Sequence, residues 1–287
     1  MKFSVFTVVM AEFAAEETVD KLAEWGFDGI EWRVHTIDRH VPPDKVNRWT
    51  VNRSTIDLER LEELAPQFAD LTHRAGLEVS HLTSYLGLDR TEDIERLMRA
   101  ATVMETSCVR VNVPGQNPEI GYRQLYETSL RNLEVVQNLA ERYSVRANLE
   151  IHMGNIIPSA GLAWRLVHRF DPKRIGLIYD PGNMIYEGYE NWRMGLELLG
   201  EYVGHVHYKN SAWHPHHVDE DGNLCWRASW ADMRTGIVNW REVLEALVTI
   251  GYEGYLSSED FWETPVEQRI PDGLGYLRGL LESIPRE

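Results

Sequence analysis

The sequence predicts an α/β fold, a closed (β/α)8 barrel formed by a single domain over residues 1–287. Eight short runs rich in Val and Ile alternate with longer segments that repeat apolar residues at three- and four-residue steps. Alternating strands and helices favour parallel strands, because parallel neighbours need a crossover connection. A chain of 287 residues has the length of one such barrel. No G-x-G-x-x-G motif follows the first strand, which disfavours the open doubly wound sheet.

The individual elements follow from these patterns. Amphipathic spacing predicts helices within 18–25, 58–71, 125–139 and 243–250. Asn239 stands before the last of them with Glu242 three residues later, the pattern of a helix N-cap. The predicted strands are 3–9, 28–34, 77–83, 108–113, 146–152, 175–180, 203–209 and 254–259.

Two predicted connections are longer than the others. Residues 35–54 follow the second strand and residues 210–238 follow the seventh. Both are expected at the carboxyl ends of the strands, where barrel active sites form. We interpret the second connection as a polar lid, with a second metal site as the alternative. Its conspicuous residues are His214, His216, His217, Trp213, Trp226 and Trp230.

Charge and composition exclude several classes of protein. The 29 basic and 45 acidic residues give a net charge of −16, which disfavours nucleic acid and anionic membrane surfaces as partners. No apolar run is long enough to span a membrane. Two cysteines cannot build a disulfide framework, so we expect a cytoplasmic protein with reduced thiols. The sequence leaves open whether the chain forms a homo-oligomer.

Ionisable side chains stand at the ends of four consecutive predicted strands. Because these ends meet at one rim of a closed barrel, the side chains are expected to lie close together. A cluster of buried carboxylates needs a cation or protons to neutralise it. Mixed oxygen and nitrogen ligands suit one divalent ion, Mn²⁺, Co²⁺, Mg²⁺ or Zn²⁺. The residues in question are Glu150, His152, Asp180, His205, His207, Glu259 and Asp260.

Seven segments follow one another along nearly the whole chain: GFDGIEWR, CVRVNV, NLEIHMGN, IGLIYDPGN, VGHVHYKN, TGIVNW and YEGYLSSED. They resemble the successive strand motifs of the xylose isomerase-like TIM barrel superfamily, which includes sugar isomerases and epimerases, inosose dehydratase and endonuclease IV. The resemblance implies that the metal ligands are Glu150, Asp180, His207 and Glu259.

The same resemblance implies a metal-dependent sugar isomerase or epimerase. In such enzymes a base removes a proton next to a carbonyl and a metal stabilises the enediolate. We expect Glu150 and Glu259 to be the acid/base pair, acting on a small sugar or keto-sugar. The alternatives are a dehydratase or lyase of an inosose or keto-sugar, and a sugar-binding barrel without catalysis. The negative charge disfavours DNA repair of the endonuclease IV type.

Further residues are predicted to bind substrate because they lie at the ends of strands or on the same strand face as a candidate metal ligand. Aromatic rings that can stack on a sugar, with packing in the core or at an interface as the alternative, are Trp32, Trp213, Trp226 and Trp230. Simpler structural roles remain open: Lys209 in a salt bridge to a rim carboxylate, Glu150 paired with Arg110 or Arg33, and Asp180 as a turn residue. The predicted substrate-binding residues are His152, Asn183, Lys209, Arg110, His81 and Arg33.

Three positions depart from the pattern of the ketose 3-epimerases within the superfamily. Asn183 replaces a His, Trp213 replaces an Arg, and Ile156 replaces a Glu. These are substrate-contact positions, so the departure disfavours a free ketohexose as the substrate. It favours a modified sugar such as a keto-glycoside, an inosose or a sugar acid, and leaves the metal ligands unaffected.

Overall fold

The computed structural model of the chain describes residues 1–38, 40–187 and 190–285; residues 286 and 287, at the end of the predicted domain, lie outside it. Within these ranges eight parallel strands close into a barrel, which confirms the predicted fold class. The barrel strands are β1 (Lys2–Phe6), β2 (Gly29–His35), β4 (Glu78–Gly87), β5 (Cys108–Asn112), β6 (Arg146–Glu150), β7 (Ile175–Tyr179), β8 (Val203–Tyr208) and β11 (Tyr255–Ser258). β1 pairs with both β2 and β11, and this closes the ring.

Helices occupy the connections between consecutive barrel strands, as the alternation predicts. Asn239 caps the helix that begins at Trp240 by accepting a hydrogen bond from the Glu242 amide, so the predicted N-cap is confirmed. The helices are α1 (Ala15–Glu24), α2 (Leu61–Arg74), α3 (Thr91–Val103), α4 (Tyr122–Tyr143), α5 (Ala160–Val167), α6 (Pro181–Met184), α7 (Trp192–Leu199), α8 (Trp240–Thr249) and α9 (Val266–Glu282).

Two glycines let the chain turn from a helix directly into the next strand. Gly26 follows α1 with φ of 81°, and Gly76 follows α2 with φ of 75°. This left-handed conformation costs other residues strain, whereas glycine adopts it freely. The short turns bring β2 back beside β1 and β4 back beside β2.

Side-chain alternation in the strands separates the barrel interior from the helix layer. In β2, Ile30 and Trp32 are fully buried in the apolar core, and the Trp32 ring packs edge-on against Phe68 of α2. The Trp32 indole also donates a hydrogen bond to the Thr72 hydroxyl at 3.0 Å. Trp32 is therefore a core residue, and its predicted role in stacking on a sugar is wrong.

Several strand ends differ from the predicted ones, and the differences decide which residues reach the rim. β1 ends at Phe6 because Thr7–Met10 forms a 3-10 turn. β4 continues to Gly87, four residues beyond its predicted end. β6 ends at Glu150, so His152 lies in the loop that follows.

The two long connections take different forms. The connection after β2 leads into a short strand, β3 (Thr55–Asp57), that pairs with β2; its residue 39 lies outside the described residues. The connection after β8 forms an antiparallel hairpin of β9 (Asn210–Val218) and β10 (Leu224–Ala231). Among the described helices, none has both the length and the apolar character needed to cross a lipid bilayer.

Candidate metal centre and active site

Four buried side chains converge at the carboxyl-end rim of the barrel. Glu150, Asp180, His207 and Glu259 each offer one ligand atom, and these atoms lie within 4.8 Å of one another. His207 Nδ1 is 3.0 Å from Glu150 Oε1, 3.4 Å from Glu259 Oε2 and 3.6 Å from Asp180 Oδ2. The resemblance implied this set of four, and the structure brings it together.

The fold holds each carboxylate at the point where a strand ends. Glu150 is the last residue of β6, and Glu259 directly follows β11. Asp180 follows β7 and caps the short helix α6, where its Oδ1 accepts a hydrogen bond from the Asn183 amide at 2.9 Å. The turn-forming role of Asp180 thus leaves its Oδ2 directed at the cluster.

Two cations neutralise part of the charge of the cluster. Arg110 forms an ion pair with Glu150 at 2.7 Å. The Lys209 ammonium lies 2.6 Å from Asp180 Oδ2 and also contacts Glu259. Burial would raise the pKa of Glu150, but Arg110 and a hydrogen bond from His207 hold it well below its usual range. Burial likewise opposes the lowered pKa of Glu259, which Lys209 and His207 maintain.

His207 connects the cluster to a second buried carboxylate below it. Its Nε2 lies 3.0 Å from Glu31 Oε1, while its Nδ1 faces the cluster. Burial alone would lower the pKa of His207, but Glu31 and Glu259, and then hydrogen bonds to Asp180 and Glu150, raise it well above its ordinary value. Burial would raise the pKa of Glu31, but His207 and then His205 keep it well below its usual range.

The donor set of the cluster fits a divalent cation. Three carboxylates and one imidazole are hard and intermediate ligands, and all four side chains are nearly inaccessible to solvent. Arg110 and Lys209 neutralise two of the three carboxylates, and a protonated His207 neutralises the third. A divalent ion held by the four residues would replace the His207 Nδ1 proton as the balancing charge.

A cavity of about 370 Å³ opens beside two of the four ligands. Glu150 and Glu259 both line it, together with Arg110 and His152. Its other walls include Trp49, Tyr85 and Asn112. A cavity with a few convergent polar groups and aromatic walls is typical of a small-molecule site.

The xylose isomerase-like TIM barrel family model matches residues 19–280, nearly the full length of the chain. The chain belongs to this family. Among curated relatives, an uncharacterized protein of Methanocaldococcus jannaschii is 26% identical over 271 residues, which cover 91% of this chain and 84% of the relative. An inosose dehydratase of Geobacillus thermodenitrificans is 30% identical over 116 residues, which cover 38% of each chain.

Solved structures share the barrel over almost its full length. The 3-keto-D-glucoside 4-epimerase of E. coli superimposes with a TM-score of 0.71 at 19% identity, over 97% of this chain and 99% of that one. The D-psicose 3-epimerase of Clostridium cellulolyticum gives a TM-score of 0.72 at 15% identity, over 98% and 99%. A zinc-containing IOLI protein gives 0.69 at 16% identity, over 98% and 96%. At these identities the likeness establishes a common fold.

Within this xylose isomerase-like barrel, two predicted substrate-binding residues face the cavity. Arg110 and His152 both line it. Arg110 also pairs with Glu150, the structural role left open from the sequence. Lys209 forms the predicted salt bridges to rim carboxylates and lies under the rings of Trp230 and Phe261, with centroid distances of 5.3 and 5.7 Å.

Three other predicted substrate-binding residues lie elsewhere. Asn183 is fully buried and donates hydrogen bonds to Asp180 and Glu150, so it orients two of the candidate ligands. The Arg33 guanidinium donates to the Thr55 hydroxyl and the Trp49 carbonyl, so it anchors the connection after β2. His81 is fully buried and contacts Thr83 and Asn148 inside the barrel. None of these three side chains lines the cavity beside the candidate metal centre.

The long hairpin after β8 holds the other predicted residues. His214, His216 and His217 are exposed on β9, and the candidate metal groups found among the described residues do not include them. Trp226 is 54% exposed. Trp230 packs against Tyr186 and Phe261, with centroids 5.0 and 5.2 Å apart, and so extends over Lys209.

Sequence reasoning missed Glu31 and Tyr85. Glu31 stands two residues before Arg33 in β2, so period-two alternation already placed both on the inner face. Tyr85 lines the cavity because β4 continues beyond its predicted end. The run HLTSYLG contains no Gly, Pro, Asn or Asp before Gly87, and this signal could have extended the strand.

Proposed function

We propose that the protein is a divalent-metal-dependent enzyme that epimerises or isomerises a sugar or keto-sugar. It would move a proton at a carbon next to a carbonyl. One observation carries this proposal: Glu150 and Glu259 belong to the candidate metal centre and also line the same cavity. A carboxylate that belongs to the metal centre and also lines the cavity can contact a substrate that is bound next to the metal ion.

In the proposed reaction the metal ion and the two glutamates have separate roles. When bound, the divalent ion polarises the sugar carbonyl and stabilises the negative charge that forms after proton removal. Glu150 or Glu259 takes the proton, and the other carboxyl group returns one. Inversion at carbon needs a group on each face of the planar intermediate. The two residues come from strands three positions apart in the barrel, which suits them to flank a substrate.

Other cavity residues suit a sugar. Arg110, Asn112 and His152 offer hydrogen bonds to hydroxyl groups. Tyr85 and Trp49 offer aromatic surface for the C–H-rich face of a ring. Because the donors are oxygen and nitrogen, Mn²⁺, Co²⁺, Mg²⁺ and Zn²⁺ are the proposed ions. The zinc in the IOLI structure supports a divalent ion in this type of barrel.

A specific observation also favours a second candidate, a dehydratase of an inosose or keto-sugar. The chain is 30% identical to an inosose dehydratase over 116 residues. Loss of water next to a carbonyl begins with the same proton removal and diverges only afterwards. The two reactions are therefore separated by the product.

Proton exchange with solvent tests the proposal directly. The metal-loaded protein is incubated in D2O with a panel of sugars, keto-glycosides, inososes and sugar acids, and NMR follows deuterium uptake and water loss. We expect deuterium at a carbon next to the carbonyl without loss of water. Water loss instead supports the dehydratase. No exchange with any compound contradicts both and favours a binding barrel.

Two variants connect the exchange to the proposed residues. Glu150→Gln and Glu259→Gln should each lower the exchange rate by about 10²- to 10⁴-fold, the usual contribution of a general acid or base. Binding of the sugar should remain detectable. Asp260→Asn is the matched control, because Asp260 is a buried acid next to Glu259 whose Oδ1 accepts from the Trp262 amide and does not line the cavity. Full exchange in both Gln variants contradicts the assignment.

A further inference from the structure

Inside the barrel, directly below the candidate metal centre, lies a buried network of hydrogen-bonded polar side chains. Glu31 lies at its middle with no exposed surface. Its carboxylate contacts Thr83, His205 and His207. Barrel interiors are ordinarily filled with branched apolar side chains, so a carboxylate there needs a physical explanation.

We propose that Glu31 is a positioning residue that holds the His207 ring with Nδ1 toward the carboxylates of the metal centre. The inference rests on the proposed metal site and adds a residue that sets its affinity. His207 Nε2 lies 3.0 and 3.2 Å from the two Glu31 oxygens. On the opposite side of the ring, Nδ1 lies 3.0 Å from Glu150 Oε1.

A neutral imidazole can bind a metal ion through only one of its two ring nitrogens. A neutral imidazole carries its proton on one nitrogen, and only the other nitrogen has a free electron pair for a metal. A carboxylate beside Nε2 accepts a hydrogen bond from Nε2–H and so keeps the proton on that nitrogen. Nδ1 is then the nitrogen available to a cation. Such partners of ligating histidines also fix the ring orientation.

Glu31 is itself held in place from two other directions. The Thr83 hydroxyl donates to Glu31 Oε1 at 2.5 Å, and His205 Nε2 lies 2.8 Å from Oε2. Each carboxylate oxygen thus has a partner besides His207. The Phe6 ring stacks against the His207 ring with centroids 5.8 Å apart, which further restricts rotation.

The same residues allow one competing explanation. Glu31, His205 and His207 also form a group whose ligand atoms lie close enough for a metal ion. The positioning role is favoured because Glu31 and both histidines already satisfy one another through hydrogen bonds at 2.8 to 3.2 Å. Metal stoichiometry distinguishes the two, since positioning requires one ion per chain.

The test compares Glu31→Gln with Thr83→Val. Gln keeps the shape of Glu but removes the charge that holds the Nε2 proton, whereas Thr83→Val removes only the hydroxyl and leaves the Glu31–His207 contact. Chelator competition with Zn²⁺ gives the affinity of each purified protein. We expect Glu31→Gln to weaken Zn²⁺ binding by about 10- to 100-fold, as loss of a partner of a ligating histidine does. Thr83→Val should weaken Zn²⁺ binding much less, because His205 still holds Glu31 and the Glu31–His207 contact remains.

A spectroscopic readout reports on the ring itself. In protein labelled with ¹⁵N-histidine, the His207 Nε2–H signal is assigned by its absence in His207→Gln. We expect slow solvent exchange of this proton in wild type and Thr83→Val, with and without Zn²⁺, and fast exchange in Glu31→Gln. Circular dichroism and cooperative unfolding verify that each variant folds. If Glu31→Gln does not fold, Glu31→Asp keeps the charge one methylene further away and should weaken Zn²⁺ binding less than tenfold.

Each result bears on a separate part of the inference. Unchanged exchange and unchanged Zn²⁺ affinity in Glu31→Gln overturn the positioning role. Two Zn²⁺ per wild-type chain that fall to one in Glu31→Gln make Glu31 a ligand and also overturn it. If wild type binds no divalent ion, the proposed metal centre fails, while the exchange of the Nε2 proton in the metal-free protein still tests what Glu31 does to His207.

Discussion

The two faces of the barrel wall carry opposite chemistry, although they come from the same strands. In β6 the outward side chain of Leu149 joins the apolar core, and the inward Glu150 belongs to the candidate metal centre. In β8 the outward Val206 and the inward His207 show the same division. Alternation along each strand produces this difference. The outer face explains why the chain folds, and the inner face explains what it can bind.

The difference has a consequence for stability. The outer layer is stabilised by burial of apolar surface, which is largely independent of pH and of ions. The inner cluster is a set of buried charges whose free energy depends on how well they neutralise one another. Changes in the two regions should therefore respond differently to a metal ion and to pH.

The largest effect is expected from Lys209→Met in the metal-free protein. Lys209 is almost fully buried against Asp180 and Glu259, so its removal leaves two carboxylates without their cation. The free energy of unfolding should fall by about 3–5 kcal/mol at neutral pH, the usual cost of breaking a buried pair. Denaturant unfolding with and without excess Zn²⁺ measures it, and Zn²⁺ should restore part of the loss.

The matched control is Lys173→Met, because Lys173 is exposed and lies outside the cluster. It should unfold like the wild type with and without Zn²⁺. An equal loss in both variants, or a loss at Lys209 that Zn²⁺ leaves unchanged, would mean that the charges of the cluster do not limit stability.

A slightly smaller effect is expected from Leu97→Ala on the outer side. Leu97 of α3 is fully buried in the apolar core. The variant should lose about 2–5 kcal/mol in the free energy of unfolding through lost burial and a cavity. Zn²⁺ affinity should remain that of the wild type. A large change in Zn²⁺ affinity would show that packing on the outer face also controls metal binding on the inner face, so that the two faces do not act independently.

The smallest effect is the pH dependence of metal binding. The pKa of His207 is raised well above its ordinary value, chiefly by Glu31 and Glu259 acting against burial. Below that raised pKa, a metal must displace the Nδ1 proton, so its affinity should rise with pH. One released proton corresponds to about tenfold, or about 1.4 kcal/mol, for each pH unit. Calorimetry in buffers of different ionisation enthalpy counts the protons released when the metal binds. If no proton is released, the metal ion does not compete with a proton on His207 Nδ1.

Most of the fold was predictable because periodicity and turn residues report it directly. All eight barrel strands overlap their predicted ranges within the described residues. Strand ends were less predictable because the apolar pattern continues across them. Thr7–Met10 is as apolar as β1 before it, yet it forms a 3-10 turn.

The candidate ligands were predictable because they stand at strand ends. How deep the other inward side chains lie inside the barrel was not predictable. His81 was expected at the rim, but β4 extends to Gly87 and Tyr85 takes the place at the cavity. Four residues of strand correspond to about 13 Å, which separates the rim from the interior. Side-chain alternation reports which face a residue is on, and strand length decides how deep it lies.

The most direct test of the central claim is elemental analysis of the purified wild type and of the double variant Glu150→Ala/Asp180→Ala, after chelation and reloading with Mn²⁺, Co²⁺, Mg²⁺ or Zn²⁺. The account predicts about one divalent ion per wild-type chain and loss of that ion in the folded double variant. A wild type that binds no divalent ion after reloading, or a double variant that retains it, would contradict a metal centre at the inner face of the rim.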